Sequence, residues 1–210
     1  MVKMGTSMYG SGFGFSDNGK RGRHSLIKPT VFLVAVNVSV YVYTSLAGGS
    51  FIQTGDDVLT QLGQYNLYVF AGRYWQLLTS MFVHVDIMHI GLNMFFLLIF
   101  GLRVEDFFTS EEYFAVYLLS GLAGNILTLF FLPIYTVSAG ASGAIFGIYG
   151  AGIIYMQKAY GQSIVVALFF AFLFLMLSTG VGVNIVAHFG GLAVGLIIGY
   201  VLAESHRQTY

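Results

Sequence analysis

Long apolar runs alternate with short polar connections along most of this 210-residue chain. A helix needs about 20 predominantly apolar residues to cross the hydrocarbon core of a bilayer, and six segments approach that length. Pro29 suits the first position of the first segment, where a missing N–H costs no hydrogen bond. The pattern therefore predicts an all-α membrane protein, a bundle of six transmembrane helices. The predicted crossings cover residues 29–46, 83–102, 113–132, 138–156, 163–177 and 183–202.

Two stretches of the chain do not fit a membrane crossing. Residues 50–80 mix apolar and polar positions, which predicts a long first loop, partly helical and partly embedded at the level of the lipid headgroups. Residues 1–28 are rich in Gly, Ser, Lys and Arg and lack the apolar core of a signal peptide. We therefore expect three regions: a flexible cytoplasmic N-terminal tail over 1–28, a six-helix domain over 29–203, and a short cytoplasmic C-terminal tail over 204–210.

Composition strengthens the membrane assignment. The chain is 57% hydrophobic and 9% charged, with a mean hydropathy of +0.79, so it has too few charges to cover a water-soluble globule. Lipid is thus the expected solvent. Zero net charge and scattered basic residues argue against nucleic-acid binding. The absence of cysteine excludes a thiolate nucleophile, so covalent catalysis would use oxygen or nitrogen.

Basic residues predict the orientation of the bundle. Most lysines and arginines outside the predicted helices lie in the N-terminal segment and in every second connection. Because cytoplasmic loops carry an excess of these residues, the pattern predicts a cytoplasmic N-terminus. The second, fourth and sixth helices then begin at the outer side of the membrane. A chain with neither a transit peptide nor a long extra domain fits a prokaryotic cytoplasmic membrane. The basic residues assigned to the inner side are Lys3, Lys20, Arg21, Arg23, Lys28, Arg103, Lys158 and Arg207, with Arg73 as the exception in the outer loop.

Polar side chains inside predicted membrane helices are few, and each invites a functional hypothesis. His89, Ser142 and His188 each lie about one to two turns inside the outward-facing start of their helix. Three helices thus bring polar groups to one depth, which indicates a shared site open to outside water. The full set is His84, His89 and Asn93 in the second helix, Asn125 and Thr128 in the third, Ser142 in the fourth and His188 in the sixth.

Small residues predict how two of these helices pack. Gly191, Gly195 and Gly199 share a helix face with His188, and Gly143 and Gly147 form a similar strip beside Ser142. Such strips let helix backbones approach closely in lipid. If the two strips face each other, Ser142 and His188 come within hydrogen-bond distance.

Serine and histidine at hydrogen-bond distance form a catalytic pair. A serine hydroxyl is a poor nucleophile until a base takes its proton, and neutral imidazole is the usual base. No acidic residue lies in the sixth helix at the depth of His188, which favours a dyad over a triad. Phe146, one turn after Ser142, is a candidate to stack on the imidazole. His89 and Asn93 share a helix face and, with the Ser142 backbone N–H, could stabilise an oxyanion.

Three motifs together resemble the rhomboid family of intramembrane serine proteases: Gly140-Ala141-Ser142-Gly143, AHFGGLAVG over 187–195, and HVDIMHIGLN over 84–93. The resemblance covers about 29–202. It implies a serine endopeptidase with Ser142 as nucleophile, His188 as general base, His89 and Asn93 as oxyanion stabilisers, and His84 holding the first loop. It also implies transmembrane protein substrates that enter past the fifth helix, and neither cofactor nor metal.

The chain departs from this family at two positions. The Trp-Arg pair that is common in the first loop reads Trp75-Gln76, and Phe146 stands where a tyrosine is frequent. Neither change removes a catalytic atom. The missing arginine leaves the anchoring of the first loop open, with Arg73 as a candidate replacement.

Other functions fit parts of the pattern. A transporter or channel could use the polar residues as a path, although only Asn125 and Thr128 continue it inward. A haem or metal protein could use His84, His89 and His188, although no HExxH run is present. A catalytically inactive binding scaffold is a third alternative. The prediction is peptide-bond hydrolysis in or near a transmembrane segment through an acyl-enzyme on Ser142, favoured by helix-breaking or small residues in the substrate.

Overall fold

The computed structural model describes residues 28–161, 163–177 and 182–208, so the predicted N-terminal tail lies almost wholly outside the described residues. The described chain is mainly helical. It contains the helices α1 (Pro29–Ala47), α2 (Asp56–Leu62), α3 (Asn66–Phe70), α4 (Gln76–Thr79), α5 (Ile87–Val104), α6 (Ser110–Phe131), α7 (Ser142–Tyr160), α8 (Ile164–Leu177) and α9 (Ile185–Gln208), and the two-residue strands β1 (Gln64–Tyr65) and β2 (Val137–Ser138).

Among the described residues, four helices are long and apolar enough to cross a membrane: α1, α5, α6 and α9. Their outward faces carry large exposed hydrophobic side chains, such as Phe95 and Ile99 of α5. A contiguous apolar exterior of this kind suits lipid rather than water. The protein is therefore an all-helical integral membrane protein. Of the other predicted crossings, α7 is rich in glycine and α8 has 14 residues.

The starts of α5 and α7 differ from the prediction for identifiable reasons. The second predicted crossing begins at 83, but α5 begins at Ile87, because Asp86 is extended and its carboxylate accepts the His89 N–H at 2.7 Å. His84 consequently lies in the loop before α5, not in a helix. The fourth crossing was expected from 138, but Ser138 belongs to β2 and the helix begins at Ser142.

Helix α6 begins earlier, and α9 ends later, than the hydropathy pattern predicts. A capping box between Thr109 and Glu112 starts α6 at Ser110. Helix α9 continues through Gln208, so residues 204–208 of the predicted tail are helical. Polar and charged side chains contact this extension: Glu204 accepts from the Lys158 ammonium at 3.1 Å, and His206 lies 3.0 Å from both Glu112 and Tyr155.

The long first loop folds over the start of α7. Strand β1 pairs antiparallel with β2, with Gln64 opposite Ser138. This pairing joins the loop that follows α1 to the residues that immediately precede α7. The predicted loop therefore has defined structure, built from α2, β1, α3 and α4.

Helix α7 lies at the centre of the bundle and packs against α5, α6, α8 and α9. The α7–α9 contact is the closest. A Cβ added to Gly191 would overlap the Gly143 carbonyl oxygen, and one added to Gly195 would overlap that of Gly147. Glycine at these positions lets the two backbones meet, as the small-residue strips predict. This close contact of the two backbones sets the distance between the side chains that α7 and α9 carry beside it.

Candidate active site

The backbone before α7 exposes Ser142 at the first position of the helix. Gly140 has φ +127°, a conformation that favours glycine, and its N–H donates to the Ser80 carbonyl at 2.9 Å. A Cβ at Gly140 would lie 2.8 Å from His89 Cε1, so a side chain there would also collide with the site. Glycine thus allows both the turn and the approach of His89. As an N-terminal residue of α7, Ser142 has a backbone N–H without a helical partner carbonyl.

Ser142 and His188 lie next to each other across the α7–α9 contact. Their Oγ and Nε2 atoms are 2.8 Å apart, which is hydrogen-bond distance. His188 is buried, with 5% of its surface exposed. Its ring stacks on Phe146, with centroids 4.7 Å apart, and Phe146 stacks in turn on Phe174 of α8. An imidazole held between packed helices against an aromatic ring has little freedom to turn away from Ser142.

His89 and Asn93 occupy the neighbouring face of α5. The His89 ring reaches the glycine turn beside Ser142, close to the positions that a Cβ of Gly140 would occupy. Asn93 is buried and its amide N–H donates to the His89 carbonyl at 2.8 Å, back into its own helix. Within the described chain its Oδ1 has no hydrogen-bond partner. His89 is therefore adjacent to the site, whereas the hydrogen bond of the Asn93 side chain lies within its own helix.

His84 contacts the residue that precedes the nucleophile candidate. Its Nε2 accepts the Ala141 N–H at 3.4 Å, and its Nδ1 lies 3.2 Å from the Phe82 carbonyl oxygen, to which it can donate. Burial, with a smaller contribution from nearby His89, lowers the pKa of His84 to about 3. A neutral ring suits this arrangement, because one nitrogen accepts while the other donates. His84 thus contacts the turn before Ser142, and its backbone carbonyl accepts from the Thr54 hydroxyl of the first loop at 2.7 Å.

Gln76 anchors the first loop. It stands at the position where an arginine is common in the family that this sequence resembles. Its side chain is fully buried, and its amide N–H groups donate to the carbonyls of Thr60 and Gln61 at 2.8 and 3.1 Å. Its Oε1 accepts the Tyr65 N–H at 3.0 Å. Arg73, the candidate replacement, instead lies over the Tyr68 ring at 4.2 Å. A neutral amide therefore holds β1 in place. Because β1 pairs with β2, the same amide also supports the segment that leads into Ser142.

Asn125 and Thr128 hold the loop and the helix ends together. Asn125 donates to the Leu77 carbonyl at 2.7 Å and to the Ser80 hydroxyl at 2.9 Å. Thr128 is fully buried and accepts a hydrogen bond from the amide of Asn184 at 2.8 Å. These contacts satisfy the polar groups within the fold, as buried polar groups require. They give both residues a structural role beside the site.

A small cleft lies next to Ser142, and polar groups of Asn125, Ser138 and Asn184 line part of it. The sequence does not single out Asn184, for which the only signal is that asparagine is a common helix N-cap. It marks Gln76 only as a departure from the family pattern, without indicating its hydrogen bonds. Among the described residues, no group of three or more His, Cys, Asp or Glu side chains could hold a metal ion.

Comparisons with known proteins agree with the three motifs. A family model described as the rhomboid domain matches residues 71–205. The protein named "Putative rhomboid protease YdcA" of Bacillus subtilis is 29% identical over 184 residues, which cover 85% of this chain and 90% of that protein.

Two other relatives are longer than this chain. RHOMBOID-like protein 6, mitochondrial, of Arabidopsis thaliana is 32% identical over 171 residues, 77% of this chain and 55% of that protein. The rhomboid protease GluP of Bacillus subtilis is 34% identical over 123 residues, 58% of this chain and 23% of that protein. The chain thus spans nearly all of YdcA, but about half or less of these two proteins.

Proposed function

Because the chain belongs to the rhomboid family, we propose that it is an intramembrane serine endopeptidase that cleaves peptide bonds in or near transmembrane segments of other membrane proteins. The observation that carries this proposal is the 2.8 Å separation of Ser142 Oγ and His188 Nε2. Ser142 is the first residue of the central helix α7. The relatives of the chain include proteins named as rhomboid proteases. No cofactor enters the proposed reaction.

The first half of the proposed reaction forms an acyl-enzyme. Ser142 Oγ attacks the carbonyl carbon of the scissile peptide bond while its proton passes to His188 Nε2. The tetrahedral intermediate then expels the amine as the carbon–nitrogen bond breaks, and His188 returns the proton to that nitrogen. The new amino terminus leaves, and the acyl group stays on Ser142.

The second half of the reaction releases the acyl group. Water attacks the ester carbon and gives a proton to His188, and the ester bond breaks as that proton returns to Ser142 Oγ. The products are a carboxylic acid and the restored serine. Both halves develop an oxyanion, for which the Ser142 backbone N–H, His89 and the Asn93 amide are the proposed donors.

The proposed topology has six crossings, with α7 and α8 completing the four long apolar helices. The distribution of basic residues supports an N-terminus in the cytoplasm, and the starts of α5, α7 and α9 would then face the outer side of a prokaryotic cytoplasmic membrane. The proposed substrates are transmembrane proteins. Their scissile segment must leave the helical conformation, since a membrane helix hides its carbonyls in internal hydrogen bonds.

Cleavage of a single-span test substrate by detergent-purified protein tests the proposal. We expect the wild-type protein to cut, and Ser142→Ala and His188→Ala to lose at least about 100-fold in rate, the usual size of a general-base contribution. Mass spectrometry of the products locates the cut. Ser120→Ala is the matched control, because Ser120 is a buried serine on α6 with no hydrogen-bond partner for its hydroxyl in the described chain. Equal rates in all four proteins would refute the dyad.

A further inference from the structure

Asn184 occupies the N-cap position of the helix that carries His188. Helix α9 begins at Ile185, and the Asn184 Oδ1 accepts the Ala187 N–H at 3.0 Å. The backbone carbonyl of Asn184 also accepts the His188 N–H at 3.3 Å. Side chain and main chain of one residue therefore hold the helical turn on which the proposed base sits.

The other end of the same amide reaches two different elements. Its Nδ2 donates to Thr128 Oγ1 of α6 at 2.8 Å and to Ser138 Oγ of β2 at 2.9 Å. The Thr128 hydroxyl donates onward to the Gly124 carbonyl at 2.9 Å, so its oxygen is left to accept from Asn184. Both amide protons and the carbonyl oxygen of Asn184 are thus engaged.

These bonds connect the two halves of the proposed dyad. Ser138 precedes Ser142 by four residues, and β2 is held in register by its pairing with β1. The start of α9 is therefore tied to the segment that leads into the nucleophile candidate. The glycine contacts between α7 and α9 fix the distance between the two helix axes. Because glycine has no side chain that interlocks with the neighbouring helix, these contacts do not prevent a helix from rotating or sliding. A polar bridge at the helix end restricts both motions.

We propose that Asn184 is a positioning residue, which sets His188 Nε2 against Ser142 Oγ by bridging the first turn of α9 to β2 and α6. The hydrogen bonds of its side chain go to Thr128, Ser138 and Ala187, and none of them reaches Ser142 Oγ or His188 Nε2. This inference rests on the proposed function, because it describes the alignment of a base with its nucleophile. Its consequence is that the efficiency of proton transfer depends on a side chain outside the dyad.

The test uses two reactions of the purified full-length protein. Cleavage of the single-span substrate gives kcat and KM. A fluorophosphonate probe reports on the dyad without a substrate helix, since Ser142 Oγ displaces fluoride from phosphorus while its proton passes to His188. For Asn184→Ala we expect kcat and the rate of phosphonylation to fall together by about 10- to 100-fold, the usual effect of a small misplacement. KM should stay within about 2-fold, because substrate contacts are unchanged.

Milder variants separate positioning from folding. Asn184→Asp keeps an acceptor for the Ala187 N–H and can accept from the Ser138 hydroxyl, so it should recover part of the lost rate. Ser138→Ala and Thr128→Val each remove one hydrogen bond of the bridge and leave the cap, and each should lower both rates by roughly 2- to 10-fold, as expected for one hydrogen bond. These variants decide the matter if Asn184→Ala does not fold.

Thr109→Ala is the matched control, since it removes a helix N-cap at the start of α6, in the capping box with Glu112. It should lower thermal stability without changing kcat per folded molecule. The positioning role is overturned if wild type reacts and the Asn184, Ser138 and Thr128 variants keep its rates, or lose only what Thr109→Ala loses. If wild type neither cleaves nor reacts with the probe, the proposed function has failed, and the positioning role fails with it.

Discussion

Some residues around Ser142 can be predicted from the sequence by their chemistry, and the contacts of others are known only from the structure. Ser142 and His188 are visible from the sequence, because polar groups are rare in membrane helices and their motifs are specific. The contact of His84 with the Ala141 N–H depends on a turn 57 residues away along the chain. No periodicity encodes such a contact, so the sequence predicts a loop-holding role but not its partner.

The departure at Gln76 shows the same limit. An absent arginine suggests a weaker anchor, yet Gln76 is fully buried and its amide makes three hydrogen bonds to the loop backbone. An uncharged group needs no counter-ion and loses less solvation on burial than a guanidinium. The anchor at this position of the loop is thus a neutral amide.

Gln76→Met tests this anchor, since methionine has a similar length but no amide. The variant leaves the carbonyls of Thr60 and Gln61 and the Tyr65 N–H without their partner, so we expect a loss of about 2–4 kcal/mol in the free energy of unfolding. Denaturation of the detergent-solubilised protein measures it. The same exchange at the exposed Gln61 should change stability by less than about 0.5 kcal/mol. Equal stability of the two variants would show that Gln76 does not anchor the loop.

At the scale of elements, hydropathy locates the helices better than it locates their ends. The predicted and observed segments overlap throughout, because apolar runs bound the part of a helix that contacts lipid. Polar caps determine the starts: Asp86 delays α5, and the Thr109–Glu112 capping box advances α6. Ion pairs beyond the apolar run extend α9 to Gln208. Hydropathy is insensitive to all three effects.

The close contact of α7 with α9 leads to a prediction about a single methyl group. Gly195→Ala would place its Cβ on the Gly147 carbonyl oxygen, so the helices must separate. We expect a loss of about 1–3 kcal/mol in stability, the usual cost of overpacking, with a fall in cleavage rate as the dyad opens.

Gly91→Ala is the control for this substitution, because nothing lies within 4 Å of a Cβ added at Gly91 of α5. Alanine should leave stability unchanged or raise it by up to about 1 kcal/mol through helix propensity. Thermal unfolding in detergent and the cleavage rate provide the readouts. If Gly195→Ala behaves like Gly91→Ala, the α7–α9 contact does not limit the approach of Ser142 and His188.

At the scale of the whole molecule, the candidate site forms around one central helix, and the surrounding elements contribute its other polar side chains. Helix α7 provides Ser142 at its first position, α9 provides His188, α5 provides His89, and the long loop covers this end through β1 and β2. The sequence predicts an all-helical bundle with a shared site at one depth. The pairing of β1 with β2 has no sequence signal, because two-residue strands are too short to show alternation.

The central claim is that Ser142 is a nucleophile activated by His188, and covalent capture tests it most directly. Wild type, Ser142→Ala and His188→Ala in detergent are each incubated with a fluorophosphonate, and the mass of the intact protein and of its peptides is measured. We predict one phosphonyl group on wild type, located on Ser142, none on Ser142→Ala, and labelling of His188→Ala slowed by at least about 100-fold. An unlabelled wild type, a label on another residue, or labelling of His188→Ala at the wild-type rate would contradict the dyad.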